Sequence, residues 1–210
     1  MHYFEFAQKD ATLYEGTVTQ SQNTGLDEII EVSKHMNDTA TIVNASRILI
    51  KFNLTTISES IQNSTIPANT TGVNKTKYYL NLYDAASSEL TANDLLYAYP
   101  VSQSWTMGEG KFYDSPKTTE GVSWRYRTGE TTGDQWVSGS NSTGGTWFSG
   151  SGFQASQSFD HETTDMRMDV TDIVNHWIKS SSAYPNEGFI VKRSGSIGNT
   201  VKSTSEGNST

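Results

Sequence analysis

The chain has 210 residues, a formal net charge of −8, no cysteine and a hydrophobic fraction of only 34%. Without cysteine there are no disulfides, thiolate metal sites or cysteine nucleophiles. Without a Lys/Arg cluster there is no electrostatic footprint for nucleic acid and no attraction to anionic membranes. The balance fits a protein that meets neutral or cationic partners. Ten Tyr, eight Phe and five Trp compensate for the few aliphatics, because aromatics bury large areas and favour strands. No apolar run approaches the ~20 residues of a membrane-crossing helix, so membrane insertion is not expected. The N-terminus lacks the basic and apolar regions of a signal peptide, so synthesis without the general secretory route is expected.

Residues 3–14 alternate weakly and predict a first strand around Asp10-Ala11-Thr12-Leu13. Residues 20–26 read as a polar loop around Asn23-Thr24-Gly25, residues 28–32 as a second strand and residues 35–44 as a loop. The cleanest strand pattern is 47–54, where Ile48, Ile50, Phe52 and Leu54 alternate with Leu49, Lys51 and Asn53. Residues 57–76 are polar and read as a surface excursion. Strands follow at 77–85 and 95–101, with Leu80 and Leu82 on one face and Tyr97, Tyr99 and Val101 sharing another. A long loop over 106–120 returns as a strand at 121–127. Residues 128–152 are rich in Gly, Ser and Thr, yet contain Trp136 and Trp147, so this loop is expected to pack on something.

The segment 165–192 carries the one clear helical signal. Thr171 or Asp169 suits the N-cap, and Asp172 suits the positive end of the helix dipole. Ile173, Val174, Trp177 and Ile178 fall on one face. Pro185 and Asn186-Glu187-Gly188 turn the chain into a strand beginning at Phe189. The pattern predicts an all-β, jelly-roll-like antiparallel β-sandwich with long loops and one short helix near the C-terminus. One domain over 1–195 and a polar tail over 196–210 are the expected organisation.

Several of these motifs recur in a recognisable order. They are Asp10 to Leu13, Asn23 to Gly25, Arg47 to Leu54, Leu80 to Tyr83, Trp105, Val122 to Trp124, Asp169 to Trp177 and Asn186 to Lys192. In that order the chain resembles the DNRLRE-type, disaggregatase-related β-sandwich domain, which is similar to a carbohydrate-binding module. The wording of residues 97–112, 121–127 and 155–159 is similar to virion structural proteins of tailed phages, particularly T4-like phages of marine cyanobacteria. The resemblance implies a non-enzymatic virion component, such as a capsid decoration, neck, tail or fibre protein. It implies other virion proteins as partners, a homo-oligomer, and adhesion to host surface polysaccharide. The alternative is a carbohydrate-binding module of a secreted or cell-surface protein, located outside the cell. The family continues past the Phe189 strand with a further motif that residues 194–210 lack, so a truncated chain or a neighbouring chain filling that edge is expected.

For chemistry the chain offers little. His2, His35, His161 and His176 share no metal-ligand spacing, and His176 reads as a partly buried helix residue. Asp160-His161-Glu162 reads as a solvated loop. Asp165, Asp169 and Asp172 form a carboxylate run, but no cleft marks a glycosidase pair. No cofactor is expected, apart from a candidate structural calcium at Asp10 or Asp169, of a kind often carried by carbohydrate-binding jelly rolls. Phe52, Trp105, Trp124, Trp177 and Phe189 are the expected core. Trp136, Trp147 and Tyr126 are the candidates for sugar stacking. Eight Asn-x-Ser/Thr sequons, at Asn37, Asn44, Asn53, Asn63, Asn69, Asn74, Asn141 and Asn208, fit chance in a chain rich in these residues better than glycosylation. Asn53 moreover falls inside a strand pattern.

Overall fold

A computed structural model describes residues 2–36, 42–68, 71–72, 75–85, 94–131, 133–137, 144–159 and 165–193. Its elements are β1 (Ala7–Tyr14), β2 (Lys34–Met36), β3 (Ile42–Phe52), α1 (Thr55–Gln62), β4 (Tyr79–Leu82), β5 (Asp94–Pro100), β6 (Ala155–Phe159), β7 (Met166–Asp169), α2 (Thr171–Lys179) and β8 (Phe189–Arg193). The fold is all-β and sandwich-like. A main sheet runs β1-β3-β8-β5-β6, with β2 paired to the start of β3, and β4 and β7 form a second sheet. Every ladder is antiparallel.

β3 explains the layering. Its residues 45–50 are all buried, so both faces of the strand need cover. On one face Ile48 and Ile50 join Val191 and Phe189 of β8, and α2 with the β4–β7 pair closes over them. On the other face Leu49, Ile190 and Leu13 meet Trp105, Val122, Trp124 and Trp136, which all come from the 101–136 region. That cover is made of loops, not strands. Each aliphatic side chain fully buried here contributes about 1.5–3 kcal/mol.

α2 forms where the spacing predicts. Neither Thr171 nor Asp169 is the N-cap: Val170 holds that position without a side-chain cap bond, and Asp169 Oδ1 accepts from the Thr171 amide at 3.0 Å from just outside the helix. The Thr171 hydroxyl is used otherwise: it accepts from the Tyr78 amide at 3.0 Å and ties the helix to the approach of β4. Ile173, Val174 and Trp177 are buried, and the Trp177 ring lies 4.7 Å from that of Phe189. Gly188 then lets β8 enter. Its φ is +90°, and a Cβ there would stand 2.4 Å from the Ile50 carbonyl oxygen. The two sheets are joined by Gln157 of β6, whose amide donates to Asp165 O at 3.2 Å and accepts from the Arg167 amide at 2.7 Å. One side chain thus serves as a rung against β7.

Four more expectations need correction. Residues 28–32 are not a strand; β2 instead runs into the start of the stretch read as a loop, 35–44, and β3 begins at its end. The backbone here is met by hydroxyls instead of a ladder: Glu31 N donates to Thr12 Oγ1 at 3.0 Å and Ser33 N to Ser46 Oγ at 2.6 Å. Residues 121–127 are loop, because their amides go to other loops, Val122 N to Thr106 O at 2.7 Å and Arg125 N to Gln20 O at 3.0 Å. Residues 55–62 form a second helix, started by Asn53 Oδ1 accepting from the Thr55 amide at 3.0 Å. Its polar sequence hid it, and none of its residues is buried. Asn53 itself lies just past β3 and not within it.

Trp105, Trp124, Trp177 and Phe189 are buried, and Phe52 is half-buried against the helix-side core. The tail 196–210 and the sequons at Asn37, Asn69, Asn74, Asn141 and Asn208 lie outside the described residues. Replacement of Trp177 by Ala should cost about 3–5 kcal/mol in urea unfolding. Tyr83→Ala, at a side chain 77% exposed, should change stability by less than about 0.5 kcal/mol. Equal shifts in the two variants would contradict the assigned core.

Candidate functional site

The face of the main sheet covered by loops is not covered evenly. Over β1, β3 and β8 the loop layer packs tightly. Towards β5 and β6 the face carries a row of half-buried rings. Tyr97 and Tyr99, two apart on β5, share that face; their centroids are 5.7 Å apart and their planes 27° apart. Trp147 extends the row, 5.8 Å from Tyr99 at 31°. Register places Ser156 of β6 and Lys192 of β8 on either side of Tyr97, and Ser158 beside Leu95. Ser156 and Ser158 are exposed. The result is a line of near-parallel rings flanked by exposed serines on adjacent strands.

Trp147 reaches this position because its segment continues the sheet beyond β5. It bridges Val101, while Ser102 N donates to Thr146 O and Phe148 N to Pro100 O, each at 3.0 Å. The Thr146 hydroxyl donates to Gln103 Oε1 at 2.9 Å. Two buried cations support the ring from below. Lys192 Nζ is 5.4 Å from the Trp147 centroid. The Arg47 guanidinium is 5.4 Å from it and 4.5 Å from Trp124, and donates to Gly144 O at 2.7 Å. Contacts of this kind are worth about 2 kcal/mol each when desolvated. Burial, with Tyr97 as the neighbouring phenol, raises the Tyr99 hydroxyl above its ordinary pKa, so it remains a neutral donor and acceptor.

Of the three residues predicted to stack on sugar, the structure leaves one with open surface. Trp136 is 4% exposed and donates its indole N–H to Ser123 O at 3.0 Å. Tyr126 is 8% exposed. Trp136 belongs to the loop-covered core, turned inward by the Gly/Ser-rich loop that carries it, and Tyr126 is buried in the 121–127 segment that precedes that loop. Trp147 remains, and its companions are Tyr97 and Tyr99, which sequence reasoning did not select. The signal for them was present: two tyrosines bracket Ala98, which points to the opposite, helix-side core.

The calcium candidates are not brought together. Asp10 sits on β1 opposite Ile50, where burial raises its pKa. Asp169 ends β7 in the other sheet, 3.0 Å from Lys77 Nζ. Among the described residues no group of three or more His, Cys, Asp or Glu could hold a metal ion. Asp165 accepts from the Asp84 amide at 3.1 Å. Asp169 and Asp172 share a shallow depression with Lys77, Gln154 and Thr171 at the start of α2, and the Thr171 amide and the Lys77 ion pair already engage Asp169. His176 is half-buried and stacks on Phe153 at 4.3 Å. Asp160, His161 and Glu162 lie outside the described residues.

Comparison of the chain with protein-family models, curated proteins and solved structures finds no match. Of the five tryptophans, Trp105, Trp124, Trp136 and Trp177 are buried at 3–4% exposure, and Trp147 is half-buried. Acrylamide quenching of the intrinsic fluorescence should therefore show one accessible component that Trp147→Phe removes. Removal of that component by Trp136→Phe instead would contradict the inward orientation of the loop.

Proposed function

We propose that this chain is a non-enzymatic structural component of a tailed-phage virion that works by surface contact. The order of its motifs along nearly the whole length supports the reading, as does the phage-like wording of residues 97–112. The observation that carries the contact role is the row Tyr97–Tyr99–Trp147 with Ser156 and Ser158 beside it. Rings set on strands give large contact area at low entropy cost, and hydroxyls at the rim supply directional bonds. Such a surface suits other virion proteins, further copies of the chain or a host polysaccharide. Asp169 and Glu187 are engaged in ion pairs with Lys77 and Lys51.

A second reading, a carbohydrate-binding module of a secreted or cell-surface protein, rests on the same row. Ring faces and edges with adjacent hydroxyls match the mixed apolar and polar surface of a pyranose. The two readings separate by where the chain is found. Mass spectrometry of purified particles should recover it at constant stoichiometry with capsid and tail proteins. Recovery only from a particle-free supernatant would overturn the virion reading. If the row binds glycan, Tyr97→Ala and Trp147→Ala should each weaken binding on a glycan array by about tenfold, ~1.4 kcal/mol. Unchanged binding in both would remove the row from the contact.

A further inference from the structure

Away from the aromatic row, one amine stands in an unusual setting. Lys9 of β1 faces Lys51 of β3 in register, so two like charges oppose each other across the ladder. Among the described residues the carboxylate that acts on them is Glu187, and Lys51 holds it at 3.0 Å. Lys9 makes no ion pair of its own among the described residues. Its Nζ lies 4.0 Å from the centroid of the Trp105 indole and donates to the Trp105 carbonyl. Trp105 is itself fixed, buried with its Nε1 donating to Glu187 O at 2.9 Å. The amine therefore sits on a rigid apolar floor next to a cation.

These influences compete. The indole face and the Trp105 carbonyl both favour the ammonium. Half-burial of the side chain opposes the charge, and so does the Lys51 cation; the Glu187 carboxylate favours it. Burial is the largest effect and Lys51 the next, and together they bring Lys9 down to about 8. At pH 7.5 such an amine is roughly one-quarter neutral, against about 0.1% for an ordinary lysine. Lys77 and Lys111 are the opposite case: their pairing with Asp169 and Glu28 raises them.

We propose that Lys9 is a selectively reactive amine, a site of Nζ-acylation by small activated acyl donors such as acyl phosphates and thioesters, seated on Trp105 beside the Lys51–Glu187 pair. The neutral Nζ attacks the acyl carbonyl carbon and the N–C bond forms. The bond to phosphate or thiolate breaks, the leaving group departs with its electron pair, and the excess proton on nitrogen passes to solvent. The product is a neutral amide, which removes the Lys9–Lys51 repulsion and leaves the Lys51–Glu187 pair intact. No oxidant or reductant is required.

The test is limiting acylation of the full chain with acetyl phosphate across pH 6–10, with peptide mass spectrometry reading each lysine. At pH 7.5 Lys9 should acylate at least tenfold faster than Lys77 and Lys111, and its rate should level off above about pH 8 while theirs keep rising. Lys51→Gln frees Glu187 to pair with Lys9 and should slow Lys9 several-fold at pH 7.5. A Lys9 rate no greater than those of Lys77 and Lys111, or one that climbs steadily through pH 10, would overturn the proposal. The wild-type pH profile decides the matter even if Lys51→Gln does not fold.

Discussion

The loop layer hangs on the side-chain amide of Asn23. The residue is fully buried. Its Oδ1 accepts from Gly110 N at 2.7 Å and Gly25 N at 3.3 Å, and its Nδ2 donates to Met107 O at 2.6 Å and Val122 O at 2.8 Å. The main-chain amide of the same residue donates to Thr118 O at 2.8 Å. A primary amide has two donors and one two-lone-pair acceptor, and all of that capacity is used. Left unpaired in this setting, the group would cost about 1–3 kcal/mol. The approach is close enough to demand glycine: a Cβ on Gly108 or Gly121 would stand 2.4 or 2.5 Å from the Asn23 side chain. Thr24 then fastens the node to the sheet, accepting from Thr12 N at 3.0 Å and donating to Thr12 O at 2.7 Å.

That node matters because the two faces of β3 are covered by different physics. On the helix side the cover is periodic, with α2 and the β4–β7 pair presenting apolar faces at regular spacing. On the other side, among the described residues, there is no strand array, and irregular segments from the 101–148 region act as a layer. Irregular backbone is expensive to bury unless its polar groups are matched one by one. Asn23 matches several at once, and what it holds in place then positions Trp124, Trp136 and the 144–148 segment. Arg47 repeats the device at the far end, bonding Gly144 O from within the sheet. Trp147 and its row on β5 are therefore a product of the loop layer, set on rigid strands.

What could be read in the sequence follows the same division. The alternation of residues 47–54 and the helical spacing of Ile173, Val174 and Trp177 gave β3 and α2 directly, because each reports burial against a regular surface. The loop layer left no such trace. The alternating run at 121–127 has buried residues without being a strand, since its partners are other loops. Trp136 looked exposed because Gly, Ser and Thr surround it, a composition that serves here to let the chain turn inward. Asn23-Thr24-Gly25 was visible as a motif and as a turn. Its role was not, because the partners of its amide lie 84 and 99 residues away. Tyr97 and Tyr99 had the right alternation but lacked the third ring, which only the fold supplies.

The decisive measurement is native-state hydrogen exchange on Asn23→Ala beside the wild type. If the side-chain amide holds the loop layer, protection should collapse at Leu26, Gly110 and Val122, whose amides are bonded in or around the node. Val174, bonded to Val170 O within α2, should keep its protection. Loss spread evenly over both faces of the sheet, or no loss at Leu26 and Val122, would contradict a loop layer that depends on Asn23.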